Sequence, residues 1–294
     1  MSKRLTAITI YLLLSAGLQI VIGNFPLGFF AFPLNAIIAV IWCFVLWRLY
    51  KENASLPLTH FLTAPSTSIW CMFLLIAGSL VIGLFPQLSD SEAKAMSGFL
   101  PALGCYNFMT SWIFIAILFL FLSNLAMVII HAAYHRKIYK KRFLLNHVGL
   151  WLALFAGFFG SSDTQTLRTP LYKEMPTREV YGMDGKIYYL DYELELHYFE
   201  TKYYPNGRPS KFLADIRVGE RHAILEVNHP YSCKMGEDIY LTGYDVSNRH
   251  NDAYCIVQIV RQPWKYITIA GILMMLAGAV LLFVNGPKRT YNHD

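Results

Sequence analysis

The stretch "RFLLNHVGLWLALFAGFFG", residues 142–160, is long and apolar enough to cross the hydrocarbon core of a bilayer as a helix. The basic string "HRKIYKKR" leads into it, and the chain turns polar at "SSDTQ" after it. One histidine, His147, lies near the start of the run. A polar group in hydrocarbon normally faces a protein interior or a ligand, because leaving it unpaired is costly. His147 is therefore either a ligand-binding residue or an interfacial imidazole bonded to Asn146 or to lipid headgroups.

The composition is that of a membrane protein. Of 294 residues, 55% are hydrophobic and 15% are charged, whereas a soluble domain carries roughly 25% charged residues. The net charge of +6 does not indicate a nucleic-acid partner. Residues 163–265 hold 13 Lys and Arg against 15 Asp and Glu, and the other cations lie at the ends of apolar runs. Such a distribution reflects membrane topology, so no nucleic-acid binding is expected.

Six segments are long enough to span a bilayer: 5–23, 28–47, 69–86, 111–134, 143–160 and 266–285. The first resembles a signal peptide but lacks a small-residue cleavage site, so we expect it to be retained. With the N-terminus in the cytoplasm, only Lys94 falls in a short outer loop. Eleven cations then lie inside, namely Lys3, Arg4, Arg48, Lys51, Arg136, Lys137, Lys140, Lys141, Arg142, Lys288 and Arg289. The positive-inside rule therefore predicts a multi-pass protein of the inner (plasma) membrane with both termini cytoplasmic.

The polar region 162–265 lies between the fifth and sixth spans and is predicted to be extracytoplasmic. Apolar and polar residues alternate in "KIYYLDYELELHYF", "FLADIRV", "HAILEVN", "DIYLTGYDV" and "AYCIVQIV", which is typical of strands. The segment "DVSNRHNDA" supplies turn residues for an antiparallel hairpin between the last two. The predicted fold class is a polytopic α-helical membrane protein with six spans and one β-rich extracytoplasmic domain between spans five and six.

The other histidines show no metal-ligand spacing. His131 and His135 stand four residues apart and share a helix face, but no third ligand is evident, so an interfacial role is expected. His60 is expected in a cytoplasmic loop, and His293 lies in the tail. Structural or surface roles are expected for the remaining four, His197, His222, His229 and His250. No nucleophile elbow, P-loop, HExxH or dinucleotide fingerprint occurs, so no catalytic residue is predicted.

The five cysteines form neither a CxxC pair nor a metal-ligand pattern. Cys43 and Cys71 fall in apolar runs, where a buried small hydrophobe is the usual role. Cys233 and Cys255 fall in the extracytoplasmic region, where an oxidising compartment permits a disulfide between them. Two free thiols are the favoured interpretation.

Several segments taken together resemble the ResB (CcsB) family of System II cytochrome c biogenesis. "PSTSIWCMFLLIAGSLVIGLFPQ" (65–87), "NFMTSWIFIAILFLFLSNLAM" (107–127) and "FLLNHVGLWLALFAGFFG" (143–160) are similar to three successive spans of that family. "LEVNHPYSCKMGEDIYLTGYD" (225–245) is similar to its pattern V-N-x-P, Gly and I/F-Y-x-x-x-Y-D. "RQPWKYITIAGILMMLAGAVLLF" resembles the strand exit and final span, with Gln262 where the family usually has Asp.

This resemblance divides the chain into four parts and covers about residues 65–285. Residues 1–60 form an additional transmembrane hairpin, 61–161 a three-span ResB-like core, 162–265 the β-rich domain, and 266–294 the final span and tail. The β-rich domain is short for the family. The tryptophan-rich motif of the partner protein CcsA is absent, so the resemblance is to the unfused form.

The resemblance implies that His147 is an axial ligand to haem b, opposite a histidine of a CcsA-like membrane protein. Neutral imidazole suits this role, since it binds haem iron. The implied function is to move or hold haem and to support its attachment to the CxxCH cysteines of apocytochromes c. The chain would then be a subunit of a haem lyase complex whose catalytic centre is in the partner, with no metal other than haem iron. Structural or partner-docking roles are implied for Asn228, Pro230, Gly236, Tyr240, Tyr244 and Asp245.

A second hypothesis stays open. The chain would be a non-enzymatic membrane assembly protein whose β domain binds an extracytoplasmic client.

Overall fold

The computed structural model describes residues 3–135, 141–206, 209–244 and 254–285. Its contacts divide the chain into two compact units. The helical unit comprises residues 1–162 and 267–294, and the β unit comprises residues 163–266. Six of the described helices are long and apolar enough to cross a membrane, and the β unit is built on one antiparallel sheet.

The helical unit opens with α1 (Lys3–Ile22), α2 (Leu34–Glu52), α3 (Pro57–Thr63) and α4 (Pro65–Leu84). It continues with α5 (Asp90–Ala95), α6 (Phe99–Ala102), α7 (Trp112–Tyr134) and α8 (Lys141–Gly160), and α9 (Lys265–Asn285) follows the β unit. The predicted start of the second span at residue 28 is wrong, because α2 begins only at Leu34. Pro26 and Pro33 interrupt the apolar run. Proline breaks an α-helix because it has no backbone N–H to donate and its ring clashes with the preceding turn.

Helix α7 is the centre of the helical unit, with α1, α2, α3, α4 and α8 packed against it. Its buried Asn124 donates an amide hydrogen to the Leu62 carbonyl over 2.7 Å and accepts one from the Ser68 hydroxyl over 2.9 Å. The Trp151 indole of α8 donates to the Leu122 carbonyl over 3.1 Å. Apolar packing alone gives little preference between helices in lipid, so such polar contacts help fix which helices are neighbours.

Hydrogen bonds at the helix ends fix the directions of α1, α4 and α7. The Phe25 amide, just after α1, donates to the Thr110 carbonyl just before α7 over 2.8 Å. At the other end of α1, the Arg4 guanidinium donates to the hydroxyl of Ser66, the second residue of α4. Helices α1 and α4 therefore run in one direction and α7 runs in the other.

Helices α2 and α8 extend this arrangement. The Asn35 side chain, at the start of α2, donates to the carbonyl of Phe159 at the end of α8 over 2.7 Å. The Tyr50 hydroxyl, near the end of α2, lies 2.9 Å from His131 Nδ1 near the end of α7. One end of the bundle thus collects the helix ends that carry Lys3, Arg4, Arg48, Lys51, Lys141 and Arg142.

Helices α8 and α9 approach closely through glycines. A Cβ added to Gly149 would stand 2.6 Å from the Gly271 carbonyl oxygen, and one added to Gly271 would stand 2.6 Å from the Gly149 oxygen. Near the start of α8, a Cβ on Gly278 would collide with Asn146 Oδ1. Small residues allow this backbone contact, as they do between many membrane helices. The side chain of Asn146 is therefore packed against α9.

The β unit contains β1 (Gln165–Tyr172), β2 (Thr177–Gly182), β3 (Ile187–Tyr203), β4 (Pro209–Val218), β5 (Arg221–Glu226), β6 (Tyr231–Lys234), β7 (Glu237–Tyr244) and β8 (Tyr254–Arg261). Their order in the sheet is β5-β4-β3-β2-β1-β8-β7-β6, and neighbours are antiparallel. The outermost strands β5 and β6 also contact each other. The sheet is therefore curled around one apolar core, to which alternate residues of its strands contribute.

Five of these strands, β3, β4, β5, β7 and β8, are those predicted from the alternation. The predicted antiparallel pairing of the last two strands is confirmed, although residues 245–253 between them lie outside the described residues. Strands β1, β2 and β6 were not predicted.

Candidate functional site

His147 lies in the second turn of α8 and is half-buried. Its ring stacks on that of Phe143, with centroids 3.8 Å apart and planes 25° from parallel. Its Nδ1 lies 2.8 Å from the Phe143 carbonyl oxygen, one turn back along the same helix. His147 Nδ1 therefore bonds to the Phe143 carbonyl and not to Asn146.

This contact fixes the tautomer of the His147 ring. A carbonyl oxygen can only accept, so Nδ1 must carry the hydrogen and donate it to Phe143. In the neutral ring Nε2 then carries no hydrogen, and its lone pair is available to a metal ion. Metal-binding histidines commonly donate their other ring nitrogen to a carbonyl in this way, because the bond orients the ring and raises its basicity. The donor chemistry of His147 therefore fits an axial ligand of haem iron.

His147 belongs to a series of rings repeated every four residues along α8. After Phe143 and His147, the series continues with Trp151, Phe155 and Phe159. Trp151 and Phe155 are stacked with centroids 4.5 Å apart, and Phe155 and Phe159 lie 4.7 Å apart. The spacing is visible in the sequence and could have indicated that His147 lies on an aromatic stripe.

A small apolar cavity of about 260 Å³ lies beside this helix, between α2, α7 and α8. Cys43, Ile129, Val148 and Trp151 are among its lining residues, and His147 is not. Pockets for small molecules usually measure about 300–1,000 Å³. This cavity is too small to enclose a haem, and it does not open onto the His147 ring.

His131 and His135 share a helix face, as predicted, with ring centroids 4.4 Å apart. His131 meets Tyr50 of α2, a partner that the sequence did not indicate. His135 Nδ1 lies 2.9 Å from the His131 carbonyl, so His135 repeats the tautomer of His147, but its side chain is exposed. Within the described part of the chain, no group of three or more His, Cys, Asp or Glu side chains could hold a metal ion.

His60 lies in the connection between the second and third candidate spans, as predicted, within the short helix α3. Pro57 occupies the first turn of that helix, where its fixed φ favours helix initiation.

A protein-family model, that of the ResB-like family, matches residues 143–257. This segment of the chain is similar to the ResB-like family. The match begins one turn before His147, covers the rest of α8, and runs through the β unit into β8. No curated protein matches the chain. The ResB-like family is associated with cytochrome c biogenesis.

The ResB-like segment places Asn228 and Pro230 at the connection from β5 to β6. The His229 amide donates to the Glu226 carbonyl over 3.0 Å, which closes a four-residue turn. Asn228 occupies its third position with φ +67°, a conformation that Asn tolerates better than most residues. Asn228, His229 and Pro230 are exposed. Their geometry accounts for the V-N-x-P pattern as a turn and leaves their side chains on the surface.

Gly236 and Tyr240 belong to the β6–β7 hairpin of the same segment. Gly236 has φ +77°, and a Cβ there would stand 2.7 Å from the Gln262 carbonyl oxygen. Both the backbone conformation and the lack of space therefore require glycine. Tyr240 is half-buried opposite Gln258 of β8. Tyr244 is paired with Cys255 at the end of β7, and Asp245 lies outside the described residues.

A buried carboxylate lies at the start of β7. Glu237 accepts hydrogen bonds from the Tyr192 hydroxyl, the Arg261 guanidinium and the Cys233 thiol. Burial works to raise the pKa of Glu237, but these three donors outweigh it and hold the pKa below its usual value. Burial raises the pKa of Cys233 to about 11, so its thiol stays protonated. We therefore assign a structural role to the Glu237–Arg261 ion pair and no reactive role to the Cys233 thiol.

Cys233 and Cys255 are free thiols, as the sequence favoured. Strand β7 lies between their strands, and neighbouring strands are about 4.8 Å apart. Two residues separated by a whole strand are beyond the roughly 7 Å between Cα atoms that a disulfide can bridge.

Two histidines that looked scattered in the sequence meet in the β unit. His197 stacks on His222 with centroids 4.8 Å apart, and His222 Nδ1 lies 3.7 Å from Asp215. The pairing register shifts between Leu196 and Tyr198, so His197 lies at a bulge. No pattern in the sequence indicates this bulge.

Proposed function

We propose that the chain is a haem-handling subunit of System II cytochrome c biogenesis. With a CcsA-like membrane protein it moves or holds haem b and supports covalent attachment of haem to the CxxCH cysteines of apocytochromes c. The observation that carries the proposal is the hydrogen bond from His147 Nδ1 to the Phe143 carbonyl, which leaves Nε2 ready to bind iron. The ResB-like match over residues 143–257 supports the same role.

In this proposal the chain binds and orients haem and does not catalyse its attachment. When bound, haem would supply the vinyl groups that become thioethers, and His147 Nε2 would bind its iron. Phe143 fixes the ring in two ways, through its carbonyl and through its stacked side chain. The cavity described beside α8 is smaller than a haem, and His147 is not among its lining residues. We assign the second iron ligand and the other wall of the site to the CcsA-like partner. The ligation chemistry is assigned to that partner as well.

The proposed orientation has both termini in the cytoplasm and the β unit outside. Its support is the grouping of the cation-bearing helix ends at one end of the bundle, which the positive-inside rule assigns to the cytoplasm. Single cysteines introduced at Lys94 and Glu200 should react with an impermeant thiol reagent added to intact cells. A cysteine at Lys51 should react only after the membrane is opened. If intact cells label the cysteine at position 51 but not the one at position 200, the orientation is the opposite of the one proposed.

The haem proposal is tested by purifying the complex of this chain with its CcsA-like partner and recording the visible spectrum. His147→Ala should lower haem per complex severalfold while leaving membrane insertion intact, because Ala is tolerated better than His in an apolar span. His135→Ala is the matched control, since its ring has the same carbonyl contact but is exposed. His131→Ala should likewise have little effect. Equal haem content in all three variants would reject the assignment.

A second function is favoured by one surface of the β unit. The β2–β3 hairpin exposes Tyr181, Met183, Ile187 and Tyr189, and Met183 and Tyr189 are about 70% accessible. Clustered exposed apolar side chains often mark protein interaction sites. The chain would then act as an assembly protein that binds an extracytoplasmic client at this hairpin. Met183→Ser with Tyr189→Ser should abolish client copurification while leaving haem content unchanged. If haem falls and the client stays bound, this second function is excluded.

A further inference from the structure

A cleft of about 700 Å³ lies between the beginning of α1, the short helix α3 and α7. Its walls are mainly apolar and include Ala7, Phe61 and Leu120. The volume is within the range of about 300–1,000 Å³ found for small-molecule sites. Helix α1 is held on α7 beside the cleft, because the Tyr11 hydroxyl donates to the Ala116 carbonyl over 3.1 Å. The cleft is thus formed by anchored helices.

Two cations line the cleft where α1 begins, and none of its lining residues is acidic. Arg4 donates to Ser66, which leaves most of its five N–H groups available. Among the described residues, the Lys3 ammonium has neither a hydrogen-bond nor an ion-pair partner. Arg48, at the same end of the bundle, is by contrast paired with Glu52 at 2.7 Å. The cleft therefore combines apolar walls with positive charge that no carboxylate of its lining neutralises.

We propose that this cleft binds an anionic phospholipid, with its phosphate at Lys3 and Arg4 and an acyl chain along Ala7, Phe61 and Leu120. Helices α1 and α7 are both long and apolar enough to cross a membrane, and Ala7 on the wall of the cleft is exposed, so lipids of a surrounding bilayer have access to the cleft. The acyl chain packs against the apolar walls, and the phosphate accepts hydrogen bonds from both cations.

The strongest rival occupant is a porphyrin carboxylate, since His60 also lines the cleft. A ligating histidine usually has its second ring nitrogen bonded to a carbonyl or carboxylate, as His147 has. Among the described residues, the exposed ring of His60 makes no hydrogen bond that would orient it. A phospholipid needs no ligand from His60, so the geometry favours the lipid.

The first test measures headgroup selectivity. The full-length protein is equilibrated with equimolar phosphatidylglycerol and phosphatidylcholine, and native mass spectrometry gives the ratio of the two lipids retained. The wild-type chain should retain more phosphatidylglycerol. Lys3→Gln should lower the ratio about fivefold, the effect expected of one cation near an anionic surface. Lys51→Gln is the matched control, because Lys51 lies at the same end of the bundle but over the Trp47 ring and outside the cleft.

The second test fills the cleft and keeps both cations. Ala7→Phe should reduce retained phosphatidylglycerol severalfold, because the added ring occupies the space of the acyl chain. Ala270→Phe places the same ring on the exposed side of α9 and should change nothing. Since neither change touches Lys3 or Arg4, this pair remains decisive even if removing Lys3 disturbs insertion of α1.

Three results would overturn the proposal. One is equal retention of the two lipids by the wild-type chain. Another is an equal loss of selectivity in Lys3→Gln and Lys51→Gln, which would mean that only the general surface charge acts. The third is displacement of the lipid by added haemin in the wild-type chain but not in His60→Ala, which would assign the cleft to a porphyrin.

Discussion

The helical unit and the β unit connect their elements in opposite ways. In the helical unit each backbone is hydrogen-bonded within its own helix, so side chains such as Asn35 and Asn124 make the polar contacts between helices. In the β unit the backbone itself joins the strands, and the buried carboxylates of Glu237 and Asp238 form ion pairs with Arg261 and Lys265. A single polar side chain therefore positions a helix in one unit, whereas in the other it stabilises an element that the backbone has already positioned.

The largest effect is expected at Glu237, where removal of the carboxylate leaves Arg261 and Tyr192 half-buried without their acceptor. Glu237→Ala should lower the free energy of unfolding of the β unit by about 2–4 kcal/mol. The control is Glu193, whose side chain is 40% exposed and lies 3.2 Å from Arg178, and Glu193→Ala should cost about 0–1 kcal/mol. Urea unfolding followed by protease susceptibility of the β unit measures both. Equal losses would remove the distinction between the buried cluster and the surface pairs.

A somewhat smaller effect is expected at Gly236, where the backbone permits no side chain. Gly236→Ala adds a Cβ 2.7 Å from the Gln262 oxygen at φ +77°, and about 2–3 kcal/mol should be lost. Gly185 has φ +75° but open space around its Cβ position. Gly185→Ala should therefore cost only the conformational part, about 1 kcal/mol. If the two variants unfold at the same temperature, the contact with Gln262 does not constrain the hairpin.

In the helical unit the corresponding change is Asn124→Ala, which removes a bridge between α7, the end of α3 and α4. The expected loss is about 1–2 kcal/mol, since hydrogen bonds between membrane helices are individually modest. Thermal unfolding in detergent measures it, and Ser79→Ala is the control because Ser79 bonds only within α4. A loss no greater than that of Ser79→Ala would contradict the role given to polar side chains between helices.

The smallest effect is a dependence on pH confined to the β unit. Burial works to raise the pKa values of Glu237 and Asp238, but hydrogen bonds to Tyr192 and Arg261, and to Lys265 and Ser232, leave both pKa values lowered. Their contribution is therefore fully present above the unfolded pKa values of about 4 and is lost as pH falls through the lower folded values. Hydrogen exchange of β7 should accelerate below pH of about 4. Glu237→Gln should flatten this dependence, and an unchanged profile in Glu237→Gln would exclude Glu237 as its source.

The sequence predicted most elements because hydrocarbon length and alternation are strong local signals. Its failures have physical causes. Pro170 argues against a central strand, yet β1 pairs with β2 only at Leu167 and Arg168. At Pro170 the strand is therefore paired on one side only, with β8, and proline is tolerated as it is in an edge strand. Strand β6 is only four residues long, and β2 is mostly polar. Both depend on their neighbours in the sheet rather than on their own pattern.

For the site, residue types and positions were predictable, but relative geometry was not. The sequence singled out His147 as a polar residue near the start of a span. The bond to Phe143 that selects its tautomer depends on side-chain rotation, which no periodicity specifies. The contact of Tyr50 with His131 and the stacking of His197 on His222 depend likewise on helix packing and on a bulge.

The assignment of His147 as a haem ligand is tested most directly by the His147→Gly complex with and without added imidazole. Gly removes the iron ligand and leaves a space that a diffusible imidazole ring can fill. The low-spin haem spectrum should be lost in His147→Gly and partly restored by imidazole, while His135→Gly should keep the wild-type spectrum throughout. An unchanged spectrum and full haem content in His147→Gly would contradict the assignment and leave His147 as an ordinary interfacial residue.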